Sequence, residues 1–432
     1  MVKVSIIGSG YVGSVSAACF AELGHEVICI DIDEKKVQMI NDGIPPIWEE
    51  GLEGLMQKHA EKNLIATSDY DYAIQNSDIS FICVGTPSNE HGNIDLSIVG
   101  RACKSLGMAM AKKDGFHIVV VKSTVVPGTT EDVVLYLLEE HSRKTAGKDF
   151  GVAMNPEFLR EGKAVYDFMN PDKIVVGGID GRTISLVSEL YRDLECEVTR
   201  TNPRTAEMIK YVNNSFLATK ISFSNEVGNI CKKLGIDTYE VMNAVGKDFR
   251  ISEHFLNSGA GFGGSCFPKD VRALIGKAKE LDYYPALLES VVEVNDLQPI
   301  QMVELLEDHV GDVKGKRIAV LGLAFKNDTD DIRESRSIPV IRKLLEKGAL
   351  VAAYDPMASE HMKAVFEDIT YCESAEEALN GADACLIMTE WAEFRKLDPE
   401  FGGMKNKVVI DGRKMIEPDK LEQDIIYEGI CW

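Results

Sequence analysis

Apolar residues in the N-terminal third fall into two alternating patterns. Short, nearly continuous runs, VSIIGSG, EVICIDID, DISFICVG and HIVVVKST, are interleaved with stretches such as 11–23 and 96–112, whose apolar positions recur every three to four residues. The first pattern predicts strands buried on both faces and the second amphipathic helices crossing between them, so the segment reads as a parallel, doubly wound sheet. The alternation begins again near Lys316: KRIAVLGLAFK predicts a strand and its exit loop, SIPVIRKLLEKG a helix, and ALVAAYDP a strand ending in Asp355. The segment 72–78 leads into ISFICVGT much as 377–383 leads into ACLIMTE. That echo fits two related domains, or the generic likeness of any two α/β domains. Between them, 205–234 has no proline and the apolar period of one long helix, with further helical segments to about residue 306.

The expected fold is therefore α/β, with two Rossmann-like doubly wound domains joined by a long central helix and helical region. Its boundaries fall at 1–200, 201–306 and 307–432. A chain of 432 residues exceeds one ordinary core, in keeping with that division. A long helix joining two such domains is a natural surface for a homodimer or higher homo-oligomer.

Charge narrows the function. The chain carries 47 basic and 69 acidic residues, a formal net charge of -22, which argues against nucleic acid or a membrane surface as partner. Local lysines and arginines can still hold an anionic small molecule. No apolar run approaches a membrane span, and the opening MVKVSIIGSG already reads as a strand, so no leader peptide is expected. Ten cysteines, none in a C-x-x-C pair and most within apolar runs, predict buried reduced thiols and a cytoplasmic chain. Eight scattered histidines give no metal-binding spacing, and no metal is expected.

Five clusters carry candidate chemistry. Gly8-Ser-Gly10-Tyr11-Val12-Gly13 follows a strand and opens a helix, and Asp31 ends the next strand. Glycine backbone and the helix N-terminus suit a pyrophosphate, and a carboxylate at 31 suits ribose hydroxyls while repelling a 2′-phosphate, which favours NAD over NADP. The matching turn in the second domain, Gly322-Leu-Ala-Phe, lacks the full fingerprint, so NAD is expected only at the first. KSTVVPGTT places Lys122, Ser123 and Thr124 at a strand exit. NPEFLREG carries Glu157 and Glu161, four apart; on a helical turn they would share one side and suit acid–base work if one pKa were raised, or they form a solvated pair. Lys210 and Asn214, four apart on the predicted long helix, could stabilise an oxyanion, or face solvent. Last, GAGFGGSCFPKD sets Cys266 behind four glycines with Lys269 and Asp270 after it, a setting for a reactive thiol rather than a buried one. A hydride acceptor, a thiol, an oxyanion cradle and a carboxylate together suit oxidation of a primary alcohol to an aldehyde, capture as a thiohemiacetal, a second oxidation to a thioester, and hydrolysis.

The ordered motifs GSGYVG, VGTPS, KSTVVPGT, NPEFLREG, EMIKYVNNSFLATKISFSNE, GFGGSCFPKD, FKNDTDDIRES and DGRK resemble, over essentially the whole length, those of nucleotide-sugar 6-dehydrogenases, most closely the UDP-glucose 6-dehydrogenases. The resemblance implies NAD-linked four-electron oxidation of UDP-glucose to UDP-glucuronate. It makes Cys266 the nucleophile, Lys210 and Asn214 the oxyanion holders with Asp270 tuning Lys210 and the active-site water, and Glu157 with Thr124 a water-mediated base. It further implies cofactor contacts at Lys36, Thr86, Thr124, Glu161 and Arg333. Substrate contacts are implied at Phe158, Leu159, Glu161, Lys210, Asn214, Arg250, Phe255, Leu256, Gly263, Lys326 and Arg413, with Arg250 reaching a partner subunit's site. Asn257 stands where some relatives carry lysine, and Ser265, where relatives acting on N-acetylated sugars carry histidine, weighs against an N-acetylhexosamine. Three rivals stay open: a GDP-mannose enzyme, a β-hydroxyacid dehydrogenase sharing only Lys-x-x-x-Asn, and a non-catalytic NAD-binding module.

Overall fold

The computed structural model describes residues 1–89 and 92–432. The chain forms two compact units, Met1–Asn213 and Asn214–Trp432. In the first, β1 (Lys3–Ile7), β2 (Glu26–Ile30), β3 (Leu64–Thr67), β4 (Ile79–Ile82), β5 (His117–Val121), β6 (Phe150–Met154), β7 (Ile174–Gly178) and β8 (Val198–Thr201) build one sheet in the order β3-β2-β1-β4-β5-β6-β7-β8. Every pair is parallel except β6 with β7. The runs Val4–Ile7 and Ile118–Val121, β-branched but for Ser5, are buried throughout, as strands covered by helices on both faces require.

Register positions the chemistry. Ile7 lies beside Ile30 and Ile82, Ile82 beside Val121, and Val121 beside Met154. Gly8, Asp31, Cys83, Lys122 and Asn155 therefore leave the sheet along one carboxyl-end rim, where sheets of this kind hold ligands.

The second unit repeats the plan. β9 (Arg317–Leu321), β10 (Leu350–Tyr354), β11 (Thr370–Tyr371), β12 (Ala384–Ile387), β13 (Val408–Asp411) and β14 (Ile426–Gly429) make an all-parallel sheet in the order β11-β10-β9-β12-β13-β14. Counted from its own first strand, this is the 3-2-1-4-5-6 order of the first sheet's opening strands. The likeness heard in the sequence is thus shared topology. Asp355, the counterpart of Asp31, faces inward: it accepts the Leu323 and Ala324 amides at 2.7 and 3.0 Å, the Met357 and Ala358 amides at 2.9 and 2.8 Å, and the Trp391 indole at 3.0 Å.

The long helix is one element of 32 residues, Pro203–Leu234. It begins two positions before the predicted stretch because Pro203 sits at its first position, where the missing N–H costs nothing and φ is already set. Helices Thr238–Gly246, Phe267–Glu280 and Ala286–Val310 follow. Among the described residues no helix is long and apolar enough to cross a membrane.

Candidate active site

The first unit supplies a dinucleotide cradle. Gly8 adopts φ +93°, open to glycine at low cost. A Cβ on Gly13 would stand 1.8 Å from the Gly8 carbonyl, so only glycine lets helix Tyr11–Glu22 pack on the turn. Gly10 occupies the cap with open space where its Cβ would be, no side chain caps the helix, and no acidic residue lies in its first turn. These are the conditions for an anion at a helix N-terminus. Asp31 accepts from the Ser9 amide at 2.8 Å, from the Ser9 hydroxyl, and from the Asp33 amide at 3.0 Å. Burial pushes its carboxyl up, but these bonds and the Lys36 charge outweigh it and hold it below the ordinary value. The residues present thus fit NAD. Thr86 belongs to the same rim through its hydroxyl, which donates to the Thr124 carbonyl at 2.9 Å.

Sequence reasoning missed the clamp on this cradle. Glu49, nearly fully buried, accepts the Gly162 and Ala164 amides, both at 2.8 Å, and the Tyr11 hydroxyl. It ties the glycine-turn helix to the segment carrying Glu161. Its partner amides lie more than a hundred residues away, so no local spacing announces it.

The Glu157–Glu161 reading needs correction. The segment 155–160 is irregular, and helix begins only at Ala164 (Ala164–Met169), so the two carboxylates do not share a helical face. The Leu159 amide donates to the Glu157 carboxylate at 2.6 Å, a local bond that replaces the helical pattern there. Glu157 is buried and meets Lys210 at 2.8 Å, with both side chains under a tenth exposed. Burial pushes the Glu157 carboxyl up, yet the Lys210 charge and hydrogen bond, the Leu159 amide and the Lys122 charge leave it below its usual range. At Glu157 the shift runs opposite to the raised pKa expected of a base, and the carboxylate is held ionised. Lys122, buried just behind, donates to Asn155 at 3.0 Å, and burial lowers its pKa. The Lys210 ammonium also lies 5.5 Å from the centre of the Phe158 ring. Glu207, fully buried one turn before Tyr211 on the long helix, accepts the Gly128 and Thr130 amides at 2.6 and 2.7 Å and so fixes the loop that follows Thr124.

The second unit supplies the thiol. Cys266 is the exposed member of the ten cysteine thiols; Cys196 is half-buried and the rest are buried. It caps helix Phe267–Glu280, at the positive end of the helix dipole, with Pro268 inside the first turn. Ser265 Oγ lies 3.6 Å from its sulfur. Beneath it Asp270, almost fully buried, takes Asn214 Nδ2 at 2.6 Å and Lys269 Nζ at 2.6 Å. Asn214 is itself buried, which sets aside the solvated-face reading of the Lys210–Asn214 pair.

The glycines ahead of Cys266 are also required by packing. A Cβ on Gly259 would meet the Gly412 carbonyl at 2.4 Å, one on Gly263 the Glu334 carbonyl at 2.3 Å, and one on Gly264 the Phe325 ring at 2.7 Å. The loop is pressed against its own sheet's exit loops. Arg413 donates to the Gly261 carbonyl at 3.1 Å and to Met388 O at 2.9 Å. Phe255, at φ +63°, stacks edge-on with Phe267, while Leu256 is buried. Lys326 lies 5.6 Å from the Phe325 ring centre, Arg333 pairs with Asp331 at 2.6 Å, and exposed Arg250 with Asp248 at 2.5 Å.

The glycine-cradled helix end beside an acidic strand terminus is the dinucleotide-binding arrangement of a nicotinamide-linked dehydrogenase. Family models agree along the chain: the NAD binding domain of the UDP-glucose/GDP-mannose dehydrogenase family matches residues 2–195, its central domain 204–297 and its UDP binding domain 319–418. The chain belongs to the UDP-glucose/GDP-mannose dehydrogenase family and is an NAD-dependent oxidoreductase. It is 51% identical to a UDP-glucose 6-dehydrogenase of Haloferax volcanii, covering 96% of this chain and 97% of that one. It is 43% identical to the GDP-mannose 6-dehydrogenase of Pseudomonas aeruginosa over 100% of both. A solved UDP-glucose dehydrogenase from the archaeon Pyrobaculum islandicum superposes with a TM-score of 0.95 at 42% identity, covering 100% of this chain and 98% of that one.

Proposed function

We propose that this chain oxidises the C6 alcohol of UDP-glucose to the carboxylate of UDP-glucuronate, in two steps through a covalent intermediate on Cys266. The observation that carries the reading is the exposed thiol at a helix N-terminus, one turn before the buried Asp270 that holds buried Asn214 and half-buried Lys269, in a chain otherwise built as a nicotinamide dehydrogenase. Bound NAD supplies the hydride acceptor for each oxidation. Cys266 adds to the aldehyde, and Lys210 and Asn214 hold the oxyanion of the thiohemiacetal. Asp270 keeps Asn214 oriented, and the ionised Glu157, with Thr124, orders the water that cleaves the thioester. Overall one alcohol, one water and two NAD give one carboxylate, two NADH and three protons.

Gly8, Gly10, Tyr11, Val12, Gly13, Asp31, Lys36, Thr86, Glu161 and Arg333 are assigned to the cofactor. Phe158, Leu159, Arg250, Phe255, Leu256, Gly263, Lys326 and Arg413 are assigned to the nucleotide sugar. We further assign 1–200, 201–306 and 307–432 as cofactor, helical and nucleotide-sugar regions, pairing into a cytoplasmic homodimer through the central helices.

The 43% identity to a GDP-mannose enzyme over the whole chain supports a second reading, in which GDP-mannose is the substrate. The test is NADH formed per mole of limiting sugar nucleotide with excess NAD. About two per UDP-glucose, falling to at most a trace of acid in Cys266→Ser, supports the proposal. One per UDP-glucose removes Cys266 from the reaction, and turnover of GDP-mannose alone selects the second reading.

A further inference from the structure

The segment 333–337 bears directly on the Cys266 loop, and one residue in it has no part in the roles above. Arg336 is buried, with 6% of its side chain exposed. Its Nε and Nη2 both donate to the main-chain carbonyl of Glu334, at 3.1 and 3.0 Å. Nη2 also reaches the Glu334 carboxylate at 3.1 Å and Nη1 reaches Asp296 at 3.3 Å. Arg272, on the helix capped by Cys266, pairs with the same two carboxylates at 3.4 and 3.8 Å.

The carbonyl that Arg336 grips is the one against which the glycine loop rests. Glu334 stands at φ +53°, a left-handed conformation that a glutamate adopts only when its surroundings impose it. In that pose its carbonyl lies 2.3 Å from where a Gly263 Cβ would be, and the Gly264 amide donates to the neighbouring Arg333 carbonyl at 2.9 Å.

We propose that Arg336 is a positioning residue for the Cys266 loop, acting through the Glu334 carbonyl. The guanidinium holds the left-handed turn; the turn sets Gly263 and Gly264; and these fix Ser265 and Cys266 at the head of their helix. The fork geometry matters, since one flat cation must serve a carbonyl and two carboxylates at once, and an ammonium lacks that fork. The partners of Arg336 are Glu334 and Asp296, so its action on the thiol is indirect.

The inference rests on the reading of Cys266 as nucleophile, so its test includes a readout independent of turnover. Intact wild-type protein, Arg336→Met and Arg336→Lys are labelled with iodoacetamide, and Cys266 modification is followed by peptide mass, with Cys196 as internal reference. kcat and KM are measured for UDP-glucose and for NAD, with Tm alongside. Arg336→Met should change the Cys266 labelling rate several-fold relative to Cys196 and lower kcat about 10- to 100-fold, the cost of a misplaced reacting group, while KM for NAD stays within about twofold. Arg336→Lys should fall between the two. Wild-type labelling and kcat in Arg336→Met would overturn the proposal. If that variant does not fold, parity of Arg336→Lys with wild type in both readouts overturns it equally. Normal turnover by Cys266→Ser would instead sink the nucleophile reading, leaving the labelling comparison as a test of Arg336 alone.

Discussion

Asp31→Asn offers a quantitative test of the cofactor cradle. A carboxylate has about four acceptor sites. Three are already engaged by the Ser9 amide, the Ser9 hydroxyl and the Asp33 amide, leaving about one for a ribose hydroxyl. A hydrogen bond to a charged group contributes roughly 1.5–3 kcal/mol, equivalent to about 10- to 100-fold in affinity. Asparagine also turns an amide donor towards one of the N–H groups now held by the carboxylate, so some stability is lost along with affinity. The expected result is a KM for NAD raised about 10- to 100-fold with kcat changed by less than about threefold, because the lost bond is made equally in ground and transition states. Removing the acid also removes its repulsion of a 2′-phosphate, so the preference for NAD over NADP should narrow by about tenfold or more. Initial rates of NADH and NADPH formation at saturating sugar nucleotide, with Tm recorded for each protein, measure all three quantities. An unchanged KM for NAD, or an equal loss with both cofactors, would refute the assignment of Asp31 to the ribose.

Lys210→Ala should lower kcat about 10²- to 10³-fold with a much smaller rise in KM, and also destabilise the protein by about 3–5 kcal/mol by stranding buried Glu157; adding Glu157→Gln should restore Tm but not kcat. Recovery of both together would make Lys210 purely structural. His117 is buried against Ser80, and burial followed by the Lys113 charge pushes its pKa down from 6.5 to about 3. Between those values the unfolded chain binds a proton that the folded chain refuses, so stability should fall as pH drops through that window. His117→Gln should flatten the pH dependence of Tm there; an unchanged slope would exclude His117 as its source.

Much of this molecule could be read from the chain because the informative contacts are local or periodic. The strand runs, the 32-residue helix and the glycine turn with Asp31 each follow from patterns within one short stretch of chain. The exposure of Cys266 was legible for the same reason, the glycines before it and Lys269 and Asp270 after it lying in one continuous stretch. Glu157 and Glu161 were misread because a four-residue spacing implies a shared face only inside a helix, and the segment 155–160 is irregular. The ionised state of Glu157 depends on Lys210, 53 positions away, and Glu49 on amides still farther off. That Gly412, Glu334 and Phe325 press upon the glycines near Cys266 was not legible, because no spacing rule reaches across that separation.

The 3-2-1-4-5-6 order that the second sheet shares with the first six strands of the other makes the chain its own control experiment. At the end of the second strand in each stands an aspartate, Asp31 in one and Asp355 in the other. The first keeps about one acceptor site turned outward. The second is saturated from within by four amides and one indole. Open and occupied versions of the same scaffold position thus differ by the neighbours of one carboxylate, not by the sheet that presents it. A designer wishing to close a nucleotide fold to a ribose has here a pattern to copy: turn the loop amides onto the carboxylate until its acceptor sites are filled, and leave the strands untouched.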